Sequence, residues 1–516
     1  MSKRTIVHGA LIVLAASLIT RILGFVFRVY ISNQLGAEGM GLYQLVLSLY
    51  MLVVTFATSG ISVAVSRMVA EQLEVNKYGS TKTVLRMSVA YSLLISIAAG
   101  ILLFAFAVPL GNQILKDGRT ILSLRCLAPS LPFMAVSACI RGYYFARRDS
   151  FKPSSAQVIE QVAKMTFIVA VIGWWLPYGD AFACAATVLG MTVGEIVSCA
   201  YVVFTYYAGR KKERGVVTKR WKTLKTILGI SVPIQTSSTL HSALRLIENL
   251  LIISGLTVFT HGNSSAAIGS YGILKGMVLP LLSFPTSLIS ALVTTLVPEV
   301  AGANAGGKDQ TVARAVRRVL QLTLLMSVFI VSVFMLFPEQ LGTMFYGERE
   351  VGEMLKLLCF ICPFMYLEMV TVGILNAVGE QVSPLRYNII DSVLRIGMIF
   401  FFVPKGGIYA FLWIMIGSNL LTSLLNLRRL LKVTSVKLEF FSWIAKPGIA
   451  AAAVGLLVKL LCDHWMFAVF PTWLAILVGI GVASVCYILL LFLLGCVTKK
   501  DILWFKDCFH TPKKAK

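Results

Sequence analysis

Long apolar runs, separated by short polar connections, fill most of this 516-residue chain. About fourteen of these runs are long enough to cross a hydrocarbon core about 30 Å thick. The first run holds Arg21 and Arg28 and is too long for the core of a cleavable signal, so we interpret it as a retained helix. The pattern therefore predicts an all-α polytopic membrane protein with about fourteen transmembrane helices.

An internal repeat groups these helices into two similar halves. Residues 132–164 align without a gap on residues 363–395, at a shift of about 231 residues, and Gly142 falls on Gly373. Each half holds about six helices, so both insert the same way round, and we expect two lobes related by an axis along the membrane normal. The predicted segments are an N-lobe at 1–208, a basic cytoplasmic linker at 209–226, a C-lobe at 227–428, two extra helices within 429–498 and a basic cytoplasmic tail at 499–516.

The net charge of +24 follows the topology of such a chain. With fourteen spans and both ends inside, the inner connections hold roughly 32 basic residues and the outer connections about 4. This pattern predicts cytoplasmic termini and contact with anionic membrane lipid, and it argues against a nucleic-acid partner. The ten cysteines lie almost all within apolar runs, which predicts no disulfide framework. No motif for an oligomer is present, and we expect a monomer.

Three acid–base pairs stand one helical turn apart inside apolar runs. A charge at membrane depth is costly unless it is paired or faces water. Residues three or four positions apart can meet on one face of a helix, so we interpret the pairs as structural pairs that hold helices in register, or as ion-coupling pairs. Another cation at a span edge, Arg141, is interpreted as reaching to the membrane interface. The pairs are Glu160 with Lys164, Asp391 with Arg395, and Arg245 with Glu248.

A second group of membrane cations suggests an anion site. Arg21 and Arg28 lie two turns apart on one helix and point the same way, and neither has an acid one turn away. Guanidinium groups are suited to grip a phosphate through two hydrogen bonds. The predicted diphosphate-binding residues are Arg21, Arg28, Lys275, Arg125 and Lys356, of which Arg125 and Lys356 superpose in the repeat.

No catalytic set, metal-ligand set or organic cofactor is predicted. The chain has no phosphate-binding loop of the G-x-x-x-x-G-K-[ST] type. The driving force for transport would therefore come from a monovalent cation gradient, the membrane potential or the supply of substrate. The outer connections are short, with the longest at 338–350, which argues against an enzyme with an external active site.

The first helix and two later segments resemble a known transporter superfamily. The stretch 20–25 (TRILGF) resembles the first-helix signature of the lipid II flippase MurJ and its relatives. Residues 269–275 (GSYGILK) and 141–143 (RGY) are more similar to the branch of stage V sporulation protein B. Both branches belong to the multidrug/oligosaccharidyl-lipid/polysaccharide (MOP) exporter superfamily, and the resemblance covers nearly the whole chain.

The resemblance implies a two-lobed fold of twelve helices plus two. In the MurJ branch, arginines of the first, second and eighth helices line a cationic cavity. Arg21 matches the first of these, Arg28 falls one position from the next, and Lys275 takes the place of the eighth-helix arginine. The second-helix arginine has no match, because that region reads LVVT at 52–55. The two extra helices would form a groove for a lipid tail.

These observations lead to two competing functions. The first is a flippase of the bacterial cytoplasmic membrane that moves an undecaprenyl-diphosphate-linked saccharide, such as lipid II or a related cell-envelope precursor, by alternating access. The second is a multidrug and cation antiporter of the MATE type, which would depend on Glu160, Glu195 or Asp391 rather than on Arg21. The sequence does not identify the glycan, the coupling ion, or a vegetative against a sporulation role.

Overall fold

The computed structural model describes residues 3–75, 78–209, 220–436 and 438–497, and every regular element among them is helical. The helices form two compact units, Met1–Gly276 and Met277–Lys516. Most of the predicted linker 209–226 and all of the predicted tail 499–516 lie outside the described residues, together with residue 498. The lobe boundaries therefore stay predictions.

The first unit contains ten α-helices and three short non-α turns. A π-helical turn covers Leu110–Ile114, a 3₁₀ turn covers Leu176–Tyr178, and a second π-helical run, Ile273–Val278, continues into the next unit. The α-helices are α1 (Lys3–Thr58), α2 (Ile61–Glu74), α3 (Tyr78–Ala105), α4 (Ala107–Pro109), α5 (Thr120–Leu127), α6 (Ser130–Ala146), α7 (Phe151–Trp175), α8 (Asp180–Ala208), α9 (Arg220–Phe259) and α10 (Ser264–Gly272).

The second unit contains ten more α-helices. A 3₁₀ turn covers Cys359–Ile361, and π-helical turns cover Phe441–Ala445 and Cys462–Met466. The α-helices are α11 (Leu279–Ser283), α12 (Thr286–Ala305), α13 (Asp309–Leu336), α14 (Pro338–Tyr346), α15 (Arg349–Leu358), α16 (Cys362–Ala377), α17 (Val382–Thr434), α18 (Lys446–Leu461), α19 (Phe467–Val469) and α20 (Thr472–Leu493).

Among the described residues, eleven helical segments are long and apolar enough to cross a membrane, or twelve if α5 and α6, which meet at a bend of 41°, count as one span. Two of the eleven, Ala15–Glu74 and Val382–Thr434, are 60 and 53 residues long. Each bends at a glycine with a positive φ angle, Gly36 (67°) or Gly407 (61°), so each is long enough for two spans. The polytopic all-α architecture is confirmed, while the count of fourteen stays a prediction.

The internal repeat is visible in the helix ends. Helix α6 ends at Ala146 and α16 ends at Ala377, which is the predicted shift of about 231 residues. Helix α7 begins at Phe151 and α17 begins at Val382, at the same shift. The sequence repeat therefore corresponds to a repeated helix–turn–helix in the two units.

Glycines bring α1 and α10 into backbone contact within the first unit. A Cβ atom added to Gly41 would lie 2.1 Å from the carbonyl oxygen of Ile268, and one added to Gly272 would lie 2.1 Å from that of Ala37. Such close approach is possible only without side chains, which is how small residues act in membrane helix packing. The second half of α1 is thereby fixed against α10.

An ion-pair network ties together three connections of the same unit. The Arg119 guanidinium contacts Glu38 at 2.7 Å, Asp117 at 2.8 Å and Asp180 at 3.8 Å. Hydrogen bonds to Asp117, and then to Glu38, raise the pKa of Arg119 above its usual value. The network joins α1, just after its bend at Gly36, to the connection before α5 and to the first residue of α8.

The two helices beyond the repeat, α18 and α20, pack on each other and on α13. Tyr487 of α20 donates a hydrogen bond to the Leu325 carbonyl at 3.1 Å, and its ring stacks on Phe329 with centroids 5.2 Å apart. These contacts fix the two predicted extra helices to the second unit, and their role as a lipid groove stays a prediction.

Candidate functional site

The first half of α1 lies against α7 in the first unit, and this packing brings two cations together. A Cβ atom at Gly24 would be 3.7 Å from Nε2 of Gln161, and the Lys164 ammonium lies 5.0 Å from the centre of the Phe27 ring. Arg28 follows Phe27 on α1 and lies within electrostatic range of Lys164. Neither Arg28 nor Lys164 forms an ion pair with the described residues. Two like charges from different helices thus share one membrane-depth environment.

Two carboxylates lie on the other side of Lys164. Glu160 on α7 contacts the Arg141 guanidinium of α6 at 3.7 Å. Glu195 on α8 is buried beside Glu160, and its Oε2 atom has no hydrogen-bond partner among the described residues. Gly194 permits this arrangement, because a Cβ atom there would be 2.9 Å from the Glu160 carbonyl oxygen. The cluster of Arg28, Arg141, Glu160, Lys164 and Glu195 is called the first-unit cluster below.

The expected pairing of Glu160 with Lys164 is not what the structure contains. No ion pair joins them within the described part of the chain; Glu160 pairs with Arg141, and Lys164 packs over an aromatic ring. The same contact gives Arg141 a carboxylate partner, and the interpretation of Arg141 as a residue that reaches to the membrane interface stays a prediction. A spacing of four residues makes a contact geometrically accessible, but a guanidinium on the neighbouring helix competes for the same carboxylate.

The second unit carries a related cluster at the equivalent helices. Asp391 is buried, with its Oδ2 atom 3.5 Å from Nη2 of Arg395, and its Oδ1 atom accepts a hydrogen bond from Ser418 at 2.5 Å. Glu368 on α16 accepts a hydrogen bond from Thr422 at 3.1 Å. The expected Asp391–Arg395 pair is thus formed. These five residues are called the second-unit cluster below.

Sequence reasoning did not identify the hydroxyl partners of the second-unit cluster. Ser418 lies 27 positions after Asp391, on the far side of the bend at Gly407, and serines in apolar helices are common packing residues. The bend turns the second half of α17 back toward the first half. No local pattern would have selected Ser418 from the other serines of the chain.

The remaining predicted cations occupy different environments. Arg21 is exposed on the first half of α1, two turns before Arg28. Lys275 is half-buried within the π-helical run Ile273–Val278 that follows α10. Arg125 is exposed on α5, with its guanidinium 5.6 Å from the centre of the Phe104 ring. The geometry brings Arg28 to the first-unit cluster and places Arg125 on an aromatic ring.

Lys356, the repeat counterpart of Arg125, is exposed on α15 in the second unit. Glu353, three positions before it, accepts a hydrogen bond from the Tyr409 hydroxyl at 3.1 Å. An acidic residue therefore lies one turn from Lys356, and this makes Lys356 a weaker candidate for an anion site than Arg28.

The third predicted pair lies in the middle of α9. Arg245 is exposed, whereas Glu248 is only 7% exposed and lies within electrostatic range of Tyr271 on α10.

Taken together, the described site residues offer charged groups and hydrogen-bonding groups at membrane depth. Within these residues there is no group of three or more His, Cys, Asp or Glu side chains that could hold a metal ion.

Comparison with known proteins connects this geometry to a group of transporters. The profile of a family described as "Polysaccharide biosynthesis protein" matches residues 6–302, which is more than half of the chain, and the profile described as "MatE" matches residues 242–401. The chain is 27% identical to stage V sporulation protein B of Bacillus subtilis over 446 residues, which is 85% of this chain and 86% of that protein.

Solved structures show the same fold. The lipid II flippase MurJ in its inward closed conformation has a TM-score of 0.65 at 14% identity, over 97% of this chain and 100% of that one. A multidrug resistance MATE transporter of the MOP superfamily, in an inward-facing conformation, also has a TM-score of 0.65, at 16% identity, over 83% of this chain and 98% of that one. At these identities the likeness concerns the fold alone.

Proposed function

This chain belongs to the polysaccharide biosynthesis protein family within the MOP superfamily of membrane transporters, and we propose that it is a flippase for an undecaprenyl-diphosphate-linked saccharide. It is a multi-pass membrane protein and not an enzyme. The proposed substrate is lipid II or a related cell-envelope precursor. The proposed route runs from the inner to the outer leaflet of the bacterial cytoplasmic membrane, through a monomer with both termini in the cytoplasm.

The observation that carries this proposal is the meeting of Arg28 and Lys164. Both side chains lie on apolar membrane helices, and neither forms an ion pair with a described acidic residue. Glu160 and Glu195 lie within electrostatic range of Lys164, but Arg141 shares these carboxylates, so three cations face two acids. Two cations held near each other at membrane depth are costly unless water or an anion compensates them. A diphosphate supplies that charge and offers oxygen atoms that both groups can bind.

The proposed cycle is alternating access, with the polyprenyl chain remaining in lipid while the cations hold the diphosphate. Moving one elementary charge across the membrane changes the free energy by about 2.3 kcal/mol per 100 mV. A monovalent cation gradient or the membrane potential would supply the driving force. Asp391, with Ser418 and Arg395 around it, is the proposed ion-coupling residue.

The decisive experiment measures how much lipid II reaches the outer leaflet in cells that depend on this chain as their flippase. Arg28→Ala should lower export by about 10- to 100-fold, since a charge-assisted hydrogen bond contributes about 1.5–3 kcal/mol. Arg28→Lys should retain a large part of the activity. Arg67→Ala is the control, because the Arg67–Glu71 pair is exposed and Arg67 belongs to neither cluster. Normal export in Arg28→Ala cells with equal membrane insertion would overturn the proposal.

A second function, a multidrug and cation antiporter, is favoured by one observation. The "MatE" profile covers 242–401, and this range includes Glu368 and Asp391 of the second-unit cluster. An antiporter would depend on these carboxylates for drug export. Asp391→Asn would then abolish drug resistance conferred by the chain, while Arg28→Ala would leave it intact. A chain that confers no drug resistance but loses lipid II export in Arg28→Ala supports the flippase.

A further inference from the structure

Helix α9 has an unusual polar stripe in the middle of a membrane-spanning segment. The segment Trp221–Phe259 passes the length and hydropathy requirements for a span. Six polar residues nevertheless each lie three or four positions from another of the six, which places them along one face of the helix. This polar stripe consists of Ser238, His241, Ser242, Arg245, Glu248 and Asn249.

The opposite face of α9 is typical of a surface in contact with lipid. Leu240 is 56% exposed and Ile247 is 45% exposed. The Thr236 hydroxyl donates a hydrogen bond to the Val232 carbonyl of its own helix at 2.9 Å. In a hydrocarbon environment such a face needs no polar partner. The polar stripe, by contrast, requires water, neighbouring polar groups or a polar ligand.

Contacts place the polar stripe beside α1 and α10 within the first unit. The Ser242 hydroxyl donates to the Thr55 hydroxyl of α1 at 3.0 Å, and Gln235 donates to the Phe56 carbonyl. Glu248, farther along the stripe, lies within electrostatic range of Tyr271 on α10. The stripe is therefore bordered by the second half of α1, after the bend at Gly36, and by α10, which leads into the π-helical run of Lys275.

The chemistry of the polar stripe differs from that of the first-unit cluster. Hydroxyl, imidazole and carboxamide groups both donate and accept hydrogen bonds. Arg245 and Glu248 offset each other in formal charge, so the stripe has no excess of positive charge to attract a phosphate. A surface of this kind fits a neutral ligand with many hydroxyl groups, and a buried polar site that hydrogen-bonds such groups discriminates strongly against analogues that lack them.

We propose that the polar stripe of α9 binds the saccharide of the lipid-linked substrate, while the cations of α1 and the adjoining helices bind its diphosphate. The inference rests on the proposed flippase function and adds to it a division of the head group between two surfaces. The bond from Ser242 to Thr55 continues the hydroxyl surface onto α1.

The test compares a lipid diphosphate that carries the saccharide, with its attached peptide, and one that carries neither. Purified protein in nanodiscs is titrated with lipid II and with undecaprenyl diphosphate. Wild type should bind lipid II more tightly. His241→Leu and Ser238→Ala should each weaken lipid II binding by about tenfold, which corresponds to about 1.4 kcal/mol, and should leave undecaprenyl diphosphate binding unchanged. Thr236→Val, on the opposite face, should change neither affinity and is the matched control.

The outcomes separate this inference from the proposed function. The saccharide assignment is overturned if wild type binds the two lipids with equal affinity. It is also overturned if the variants lose affinity for both lipids equally while Thr236→Val binds normally. Either result leaves the proposed diphosphate site unaffected. Failure of wild type to bind either lipid overturns the flippase proposal and this inference with it. Binding of undecaprenyl diphosphate also shows that each variant is folded, and Asn249→Leu replaces any variant that is not.

Discussion

The contact between α1 and α10 makes a sharp prediction about a single methyl group. In Gly272→Ala, the new Cβ atom would lie 2.1 Å from the Ala37 carbonyl oxygen, 2.5 Å from the Gly41 nitrogen and 2.9 Å from the Gly41 Cα atom. All three are backbone atoms, so no side chain can rotate away to make room. The two helices would have to separate by about 1 Å or more to restore ordinary contact.

The expected loss of stability follows from these distances. Overpacking costs about 1–3 kcal/mol and occasionally more, and a clash with fixed backbone belongs at the upper end of that range. Globular domains unfold with about 2.1 cal/mol/K of entropy per residue, which over the 276 residues of the first unit amounts to about 0.6 kcal/mol/K. A loss of about 3 kcal/mol should therefore lower the unfolding midpoint by about 5 °C.

The assay is thermal unfolding of the detergent-solubilised protein, followed by the loss of its monodisperse elution peak. The matched control is Gly269→Ala, one turn earlier on α10, where the nearest atom to a new Cβ is the Ala37 Cβ at an ordinary 3.9 Å. This control should melt like wild type or slightly above it, since alanine favours the helix by up to about 1 kcal/mol. If both variants melt alike, the backbone contact is not what fixes α1 against α10.

Three further predictions use the same melting assay. Arg119→Ala should cost about 1–2 kcal/mol, because it breaks charge-assisted hydrogen bonds that are partly exposed; an unchanged midpoint would contradict a role for this network. Gly379→Ala should cost about 1–2 kcal/mol, because its φ of +88° disfavours a side chain, whereas Gly397→Ala in open space on α17 should not. Hydrogen bonds from Arg429, and then from Ser383, lower the pKa of Glu380 below its usual 4.5, so its stabilising contribution is present above that pH and is lost as the pH falls through the lowered pKa. Wild type and Glu380→Gln should therefore differ at neutral pH and converge in acid; a constant difference at all pH values would refute the linkage.

Sequence reasoning succeeded where the information was periodic. The shift of about 231 residues predicted equivalent helices, and the structure ends α6 and α16, and begins α7 and α17, at equivalent positions. The repeat also explains Arg148, which has a positive φ of 58° at the position equivalent to Gly379. The turn between the two helices requires the left-handed conformation in both copies, and the first copy adopts it without a glycine.

Sequence reasoning failed where the partner of a charge lies on another helix. Spacing predicted the Asp391–Arg395 pair, which is formed, and the Glu160–Lys164 pair, which is not. The two sequences are alike over one turn, so the difference lies in the neighbours. In the first unit α6 supplies a guanidinium and α1 an aromatic ring, and neither is visible in the sequence around Lys164.

This difference gives the two clusters, as defined above, opposite formal charge. With every group ionised, the first-unit cluster has three cations, Arg28, Arg141 and Lys164, against two acids, and so carries one excess positive charge. The second-unit cluster has the single cation Arg395 against two acids, and so carries one excess negative charge.

A transporter built from two equal copies would bind the same kind of ion in each. Under the proposed function, the first copy would bind an anionic head group, and the second would bind a small cation through carboxylate and hydroxyl oxygens, such as those of Asp391 and Ser418. The proposal that one copy binds the substrate and the other binds the coupling ion therefore follows from the different partners of the buried carboxylates in each copy. Arg141→Ala should therefore weaken substrate binding more than it changes the dependence of transport on the coupling ion.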